Sequence, residues 1–245
     1  RESFNTKERI EVLMKRIAII PARSGSKRII DKNIKSFCGK PIIAYTLEAV
    51  KNSNLFDVIH VSTDSKKIAD LVISLGYSVD FLRPAKLSDD YTPIMPVLKW
   101  VLQEFRERGI IFDEVATIMP CAPFIESSDL ISASKLLEDN QCRNPILAVA
   151  PYSAPIEWAF NIEDDSILNP VQPGMFSKRS QDLPSHYYDT GSFAFFSYDF
   201  VINSEGAGSD DFYRGQIIEK YKAIDIDDVE DWNYAEKLFH GIHSV

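Results

Sequence analysis

The sequence predicts an α/β fold: a doubly wound, mainly parallel sheet with one inserted arm. Three observations lead there. Short runs rich in β-branched residues alternate along the chain with amphipathic segments of helical spacing. The early runs are apolar on both faces, as strands covered by helices on two sides must be. With 245 residues, 45% hydrophobic and 26% charged, the chain can bury one substantial core, a length that fits a single domain with an insertion better than two domains.

The elements follow in order. Residues 1–13, RESFNTKERIEVL, are polar and precede Met14, so they read as an N-terminal extension or tag expected to be disordered, with one domain over 14–245. IAII (17–20) is the first strand. Pro41, suited to a first helical turn because its missing N–H has no partner to lose, opens the helical IIAYTLEAV. VIHVS (58–62) is the second strand, after which Asp64 or Ser65 starts KKIADLVISLGY, with Gly76 as its stop. ATIM (116–119) is the third strand, Ser128 precedes the helical LISASKLLED, and ILAVA (146–150) is the fourth strand. Over about 151–190 the rhythm breaks under the prolines of PYSAP, NPVQPG and QDLP, and this stretch reads as an inserted arm of the kind that completes a site or a dimer interface. FAFF (193–196) and KAIDI (222–226) complete the strands. Asp228, followed by Glu230 and Asp231, is expected to cap a terminal helix running to about Phe239.

A net charge of −9 argues against a generic nucleic-acid or membrane-surface binder, because such partners need a positive field. Cys38, Cys121 and Cys142 are odd in number and lack CxxC pairing, and His60, His186, His240 and His243 have no metal-ligand spacing. A reducing cytoplasm is the expected setting. No apolar run approaches the roughly 20 residues that span a bilayer.

Against this acidic background, IAIIPARSGSKRIIDKN (17–33) carries a strand straight into Arg23, Lys27, Arg28 and Lys32. Ligands of open parallel sheets bind beyond the carboxyl ends of the strands, where loop N–H groups can face phosphate. Ser24, Gly25 and Ser26 allow close backbone approach, so a polyphosphate is the expected guest. The loop lacks GxxxxGK[ST] and GxGxxG, which disfavours a P-loop ATPase and a dinucleotide-dependent dehydrogenase. Two residues apart on the expected last strand, Asp225 and Asp227 would project to one face, where they are either a metal-binding pair or ordinary strand-end and turn residues.

Four stretches, IPARSGSKRIIDKN, VSTDSKKIA, FLRPAKLSDD and IDIDDVEDW, resemble the cytidylyltransferases that make CMP-activated nonulosonic acids, the family that includes CMP-sialic acid synthetase. IMPCAPFI (118–125) and RSQDLPSHYYDTG (179–191) look more like the pseudaminic acid branch. The resemblance implies a Rossmann-like nucleotidyltransferase fold whose arm supports a homodimer. It also implies a reaction of CTP with a nine-carbon 2-keto sugar acid that gives the CMP-sugar and pyrophosphate. Carried over residue by residue, it assigns nucleotide contacts to Ala22, Arg23, Ser26, Lys27, Lys32, Asn33, Arg83 and Thr92, with Lys27 also catalytic. It assigns Mg²⁺ to Asp225 and Asp227, an ion that suits one or two carboxylates completed by water and substrate phosphates.

For the sugar, Arg179 is expected to grip the carboxylate bidentately with Gln181 beside it, while Tyr187 and Tyr188 either line the sugar body or simply pack. Ser24 stands where the family usually has glycine, and Thr92 substitutes for a hydroxyl residue expected at Ile94. Cys38 and Cys121 read as small buried residues rather than nucleophiles. The rival readings are a CMP-sialic or CMP-legionaminic acid synthetase and a non-catalytic nucleotide-binding scaffold.

Overall fold

The computed structural model describes residues 14–207 and 211–243; the expected extension over 1–13 lies outside them. Strand β1 (Arg16–Pro21) forms because four successive residues, Ile17 to Ile20, can all be buried, Ala18 and Ile20 in one helix-covered cluster and Ile17 and Ile19 in the other. Burying each isoleucine contributes about 1.5–3 kcal/mol. After the basic loop, β2 (Ser36–Phe37) and β3 (Lys40–Pro41) make a two-residue hairpin whose corner, Cys38 and Gly39, has φ of 43° and 101°, the left-handed pair that suits a tight hairpin turn.

Helix α1 (Ile42–Ser53) begins directly after Pro41, then β4 (Val58–Ser62) and α2 (Lys66–Ser74), which Ser65 caps by accepting a hydrogen bond from Ile68 N. Next come α3 (Ile94–Glu107), β5 (Glu114–Ile118) and α4 (Ser127–Asp139). Helix α4 is capped by Glu126, two residues before the expected Ser128, in a reciprocal cap with Asp129. Strand β6 (Ile146–Pro151) precedes an excursion that holds a short hairpin, β7 (Phe160–Ile162) with β8 (Leu168–Pro170), and the chain returns as β9 (Tyr187–Ser197). The remaining elements are α5 (Tyr198–Asn203), β10 (Arg214–Ile217) and α6 (Val229–His243).

The six-stranded sheet runs β10-β6-β9-β5-β1-β4. Strand β1 pairs in parallel with β4 and β5, β10 pairs in parallel with β6, and β9 runs antiparallel between β5 and β6, so the sheet is mainly parallel. Helices α1, α2 and α4 cover one face, α3 and α5 the other. A third cluster packs Trp232 and Ala235 of α6 against Phe37 and Ile42.

One sequence expectation needs correction, and one strand was not expected. KAIDI is not a strand: Lys222 ends a short 3₁₀ turn, and 223–227 has no ladder partner because β10, at 214–217, already pairs with the free edge of β6. Its alternation reflects one-sided burial, Ile224 and Ile226 turning into the α6 cluster. Edge strand β10 carried little strand signal; its Gly215 is required by close approach, since a Cβ there would lie 2.9 Å from Val149.

Candidate active site

Strand β1 continues to β4 on one side of the sheet and lies beside β5 on the other, so a crevice opens beyond its carboxyl end, where the order of the sheet reverses. A cleft of about 630 Å³ occupies this position. Its floor begins at Pro21, and the chain is tied down at once by Ala22 N donating to Ser62 O at 2.9 Å. Ala22 is therefore buried beneath the cleft rather than lining it.

The basic loop is built from local bonds. Ser24 gives both its N–H and its hydroxyl to Asp64, at 2.9 and 2.7 Å, and its φ is not positive, so serine is accommodated where the family usually has glycine. Asn33 is buried, donates to Arg23 O at 2.8 Å and accepts from the Cys121 thiol at 3.3 Å. Burial pushes that thiol up to about 12, so Cys121 is a positioning donor and not a nucleophile. The cations are held by carboxylates: Arg23 and Lys27 both meet Asp90, at 2.6 and 2.5 Å, while Arg28 meets Asp227 at 2.9 Å. Lys32 donates to Ile226 O at 2.7 Å and lies 3.4 Å from Asp227.

Arg83 is buried to 6% exposure, with its N–H donating to Thr63 O at 2.7 Å. Its Nε and Nη2 are buried without a hydrogen-bond partner among the described residues at the cleft wall, an arrangement that costs free energy until an acceptor arrives. Thr92 lines the same wall and gives its hydroxyl to Asp89 at 2.8 Å; Ile94 lies beside it.

Asp225 and Asp227 line the same cleft, where Arg28 and Lys32 reach Asp227, even though the segment is not a strand. Asp225 faces the open cleft, yet protein on its other sides, and then the Asp227 charge, raise its carboxyl above the usual range. A divalent cation would relieve both causes. Among the described residues no cluster of three or more His, Cys, Asp or Glu could hold a metal alone, so an ion here would take the rest of its coordination from water and phosphate oxygens, as Mg²⁺ does. The residues present fit the ion. Asp228 serves the fold instead. Its carboxylate accepts from Glu230 N and Asp231 N, while Asp231 accepts from Asp227 N and Asp228 N, a reciprocal cap that fixes the start of α6.

The cleft thus gathers Arg23, Ser26, Lys27, Lys32, Asn33, Arg83, Thr92, Asp225 and Asp227. It does not gather the four expected sugar contacts. Arg179 is 71% exposed and forks onto Asp182 at 2.7 and 3.0 Å; Gln181 lies in the same short 3₁₀ turn. Tyr187 and Tyr188 pair with Pro151 and Ala150 at the base of the arm, and Tyr188 packs against Tyr152. Sequence reasoning left Arg28 and Asp90 unassigned, and also Gly191, whose φ of 62° turns the start of β9 along the cleft beside Asp225. Arg28 stood in the basic run and Asp90 in LSDD, so both were within reach.

A family model described as Cytidylyltransferase matches residues 17–157, more than half of the chain. The chain belongs to the cytidylyltransferase family. Relatives of this cytidylyltransferase include the pseudaminic acid cytidylyltransferase of Campylobacter jejuni, 31% identical over 236 residues that cover 94% of this chain and 98% of the relative. The CMP-N,N'-diacetyllegionaminic acid synthase of Legionella pneumophila is 32% identical over 231 residues, covering 92% and 96%. A solved CMP:2-keto-3-deoxy-manno-octonic acid synthetase complexed with CTP matches with a TM-score of 0.69 over 93% of this chain and 99% of that one; at 14% identity this is a likeness of fold. The cytidylyltransferase is accordingly a nucleotidyltransferase built on a Rossmann-like sheet. Among its described residues no helix is long and apolar enough to cross a membrane.

One prediction arises from the cation pairing. Asp90 competes with any incoming phosphate for Arg23 and Lys27, whose hydrogen bonds hold its carboxyl below the usual range. Asp90→Asn is expected to bind CTP about two- to fivefold more tightly, the modest gain proper to exposed pairs. Calorimetric titration of both proteins checks it; weaker binding by the variant would make Asp90 a ligand contact instead.

Proposed function

We propose that this cytidylyltransferase transfers CMP from CTP to a nine-carbon 2-keto sugar acid, most favourably pseudaminic acid, with release of pyrophosphate. The observation that carries the reading is the shared cleft: a cationic loop at the carboxyl end of β1 and a carboxylate pair face one volume. Arg23, Lys27 and Lys32 would hold the triphosphate, Asn33 and Thr92 would orient the nucleotide, and the unpaired Nε and Nη2 of Arg83 offer donors to it. The sugar hydroxyl attacks the α-phosphorus and gives its proton to water, the bond from the α-phosphorus to the bridging oxygen of the β-phosphate breaks, and the charge that develops on the departing pyrophosphate falls to the loop cations. Mg²⁺ held by Asp225 and Asp227 would supply Lewis-acid polarisation of the phosphate. Three free cysteines suit a reducing cytoplasm.

The preference for pseudaminic acid rests on 118–125 and 179–191, since relatives named for pseudaminic and legionaminic acids are similarly identical to this chain. The test is pyrophosphate release from CTP and Mg²⁺ with pseudaminic, legionaminic and N-acetylneuraminic acids offered separately. Highest kcat/KM with pseudaminic acid is the expected result; a different best sugar reassigns the substrate. Nucleotide binding without turnover on any sugar would make the protein a scaffold.

We assign the excursion between β6 and β9, within the expected 151–190, as an inserted dimerisation arm; residues 187–190 belong to the sheet. Its β7–β8 hairpin is solvent-exposed on both strands, and two strands alone are marginal in water. Ile162 and Phe176, 73% and 72% exposed, are the apolar surface that a second copy would cover. Because Arg179 and Gln181 stand away from the cleft of their own chain, the sugar-binding role given to them would be exercised at the cleft of the partner copy. Arg179→Ala is then expected to raise KM for the sugar about tenfold or more, as loss of a bidentate charge pair does, with CTP binding nearly unchanged. Equal losses for both substrates would remove Arg179 from the sugar site.

A further inference from the structure

The segment that carries Asp225 and Asp227 has no sheet to stiffen it, so something else must set where those carboxylates point. On its far side the answer is visible: Lys32 holds Ile226 O, and Asp231 holds the N–H groups of Asp227 and Asp228. On the near side stands Lys222, three residues before Asp225, with a side chain only 2% exposed. Its ammonium meets both Asp129 oxygens at 3.1 and 3.0 Å, Glu126 at 2.9 Å and Glu219 at 3.2 Å. Glu126 and Asp129 are the reciprocal cap of α4, at the end of the loop whose Met119 to Ala122 line the cleft.

We propose that Lys222 is a positioning residue, a buried ammonium clip that fixes the Asp225–Asp227 segment to the β5–α4 loop and so sets the carboxylate pair against the cleft. Burying an ammonium is expensive, and an apolar side chain of the same size would fill the space at lower cost. What the charge adds is direction: three N–O contacts, to Glu126 and both Asp129 oxygens, fix the 3₁₀ turn at 220–222 to the start of α4, and a fourth, to Glu219, closes the turn on itself, as supporting hydrogen bonds do for metal ligands. Burial works against the charge, but hydrogen bonds to Glu126 and Asp129 more than offset it and raise the ammonium above the ordinary lysine range.

The inference rests on the proposed function for its kinetic and metal arms, and amide exchange tests it without that function. In Lys222→Met, amide exchange at 223–228 should quicken about tenfold or more while β1 keeps its protection, and the Mn²⁺ concentration that half-saturates the CTP-bound protein, read by electron paramagnetic resonance, should rise about 10- to 100-fold. Turnover should fall in step with the Mn²⁺ affinity, CTP binding without metal should stay within about twofold, and Lys222→Arg should restore most of each loss. Should Lys222→Met fail to fold, the charge-balanced Lys222→Met with Asp129→Asn takes its place with the same expectations. A folded variant that keeps wild-type exchange at 223–228 and wild-type Mn²⁺ affinity overturns the proposal. Absence of pyrophosphate release by the unaltered protein on every sugar would sink the proposed reaction and leave the exchange arm to decide the clip.

Discussion

Asp227→Asn is expected to lower turnover about 10²- to 10³-fold while the protein remains folded. The carboxylate is 41% exposed and its pairs with Arg28 and Lys32 are open to water, so its removal costs little stability. In the proposed reaction its charge would do two things, sharing a divalent ion with Asp225 and setting Lys32 and Arg28 beside the phosphates. Circular dichroism and single-turnover kinetics separate the outcomes, and wild-type turnover in the variant would refute the metal assignment. The pH dependence follows from Asp225, whose carboxyl is raised by partial burial and by Asp227. A raised pKa means that the folded protein holds this proton more tightly than the unfolded chain does. The associated stability is complete below the unfolded-state pKa and is lost as pH rises through the folded-state value. A divalent ion reverses this by favouring the ionised pair, so Mg²⁺ should raise Tm more near neutral pH than in mild acid, and Asp227→Asn should largely abolish the difference.

The parts of this fold that were legible in the sequence are those whose signal is local. Ile17 to Ile20 are buried on both faces and must read as a continuous apolar run; Ser65, Asp228 and Pro41 mark helix starts through bonds or constraints within a few residues. Helix α3 shows Leu98, Val101, Leu102 and Phe105 at helical spacing, but Pro93 and Pro96 at its start masked it, although proline is tolerated in a first turn. Strand β10 was not legible because four residues, Arg-Gly-Gln-Ile, become a strand only through the open edge of β6. Conversely, alternation in KAIDI came from one-sided packing without a ladder, a pattern that sequence periodicity cannot distinguish from a strand. The cationic half of the site was legible because Arg23 to Lys32 lie in one loop. Asp90 carried a local signal in LSDD that was not used, whereas Lys222 was not assigned because Asp129 and Glu126, which give it its role, stand 93 and 96 positions away in the chain.

Lys27→Met is expected to lower kcat about 10²- to 10³-fold with almost no change in Tm. At 81% exposure, and paired among the described residues with Asp90, the Lys27 ammonium contributes nothing measurable to the fold. Its value lies in mobility. A strongly hydrated point charge on a flexible stem can leave Asp90 and follow the phosphate oxygens as charge shifts toward the leaving pyrophosphate, which a rigidly held guanidinium does less readily. Such an interaction is stronger in the transition state than in the bound triphosphate that Lys27 also helps to hold, so kcat should fall much further than KM for CTP rises. Lys32 offers the contrast: it is 20% exposed and holds Ile226 O at 2.7 Å, so Lys32→Met should lower both Tm and turnover. Steady-state kinetics beside thermal melts of the two variants distinguish a charge used only in the reaction from one used also in the fold. If Lys27→Met raised KM for CTP with kcat unchanged, Lys27 would be a ground-state phosphate contact and the cation acting on the leaving group would have to be Arg23 or Lys32.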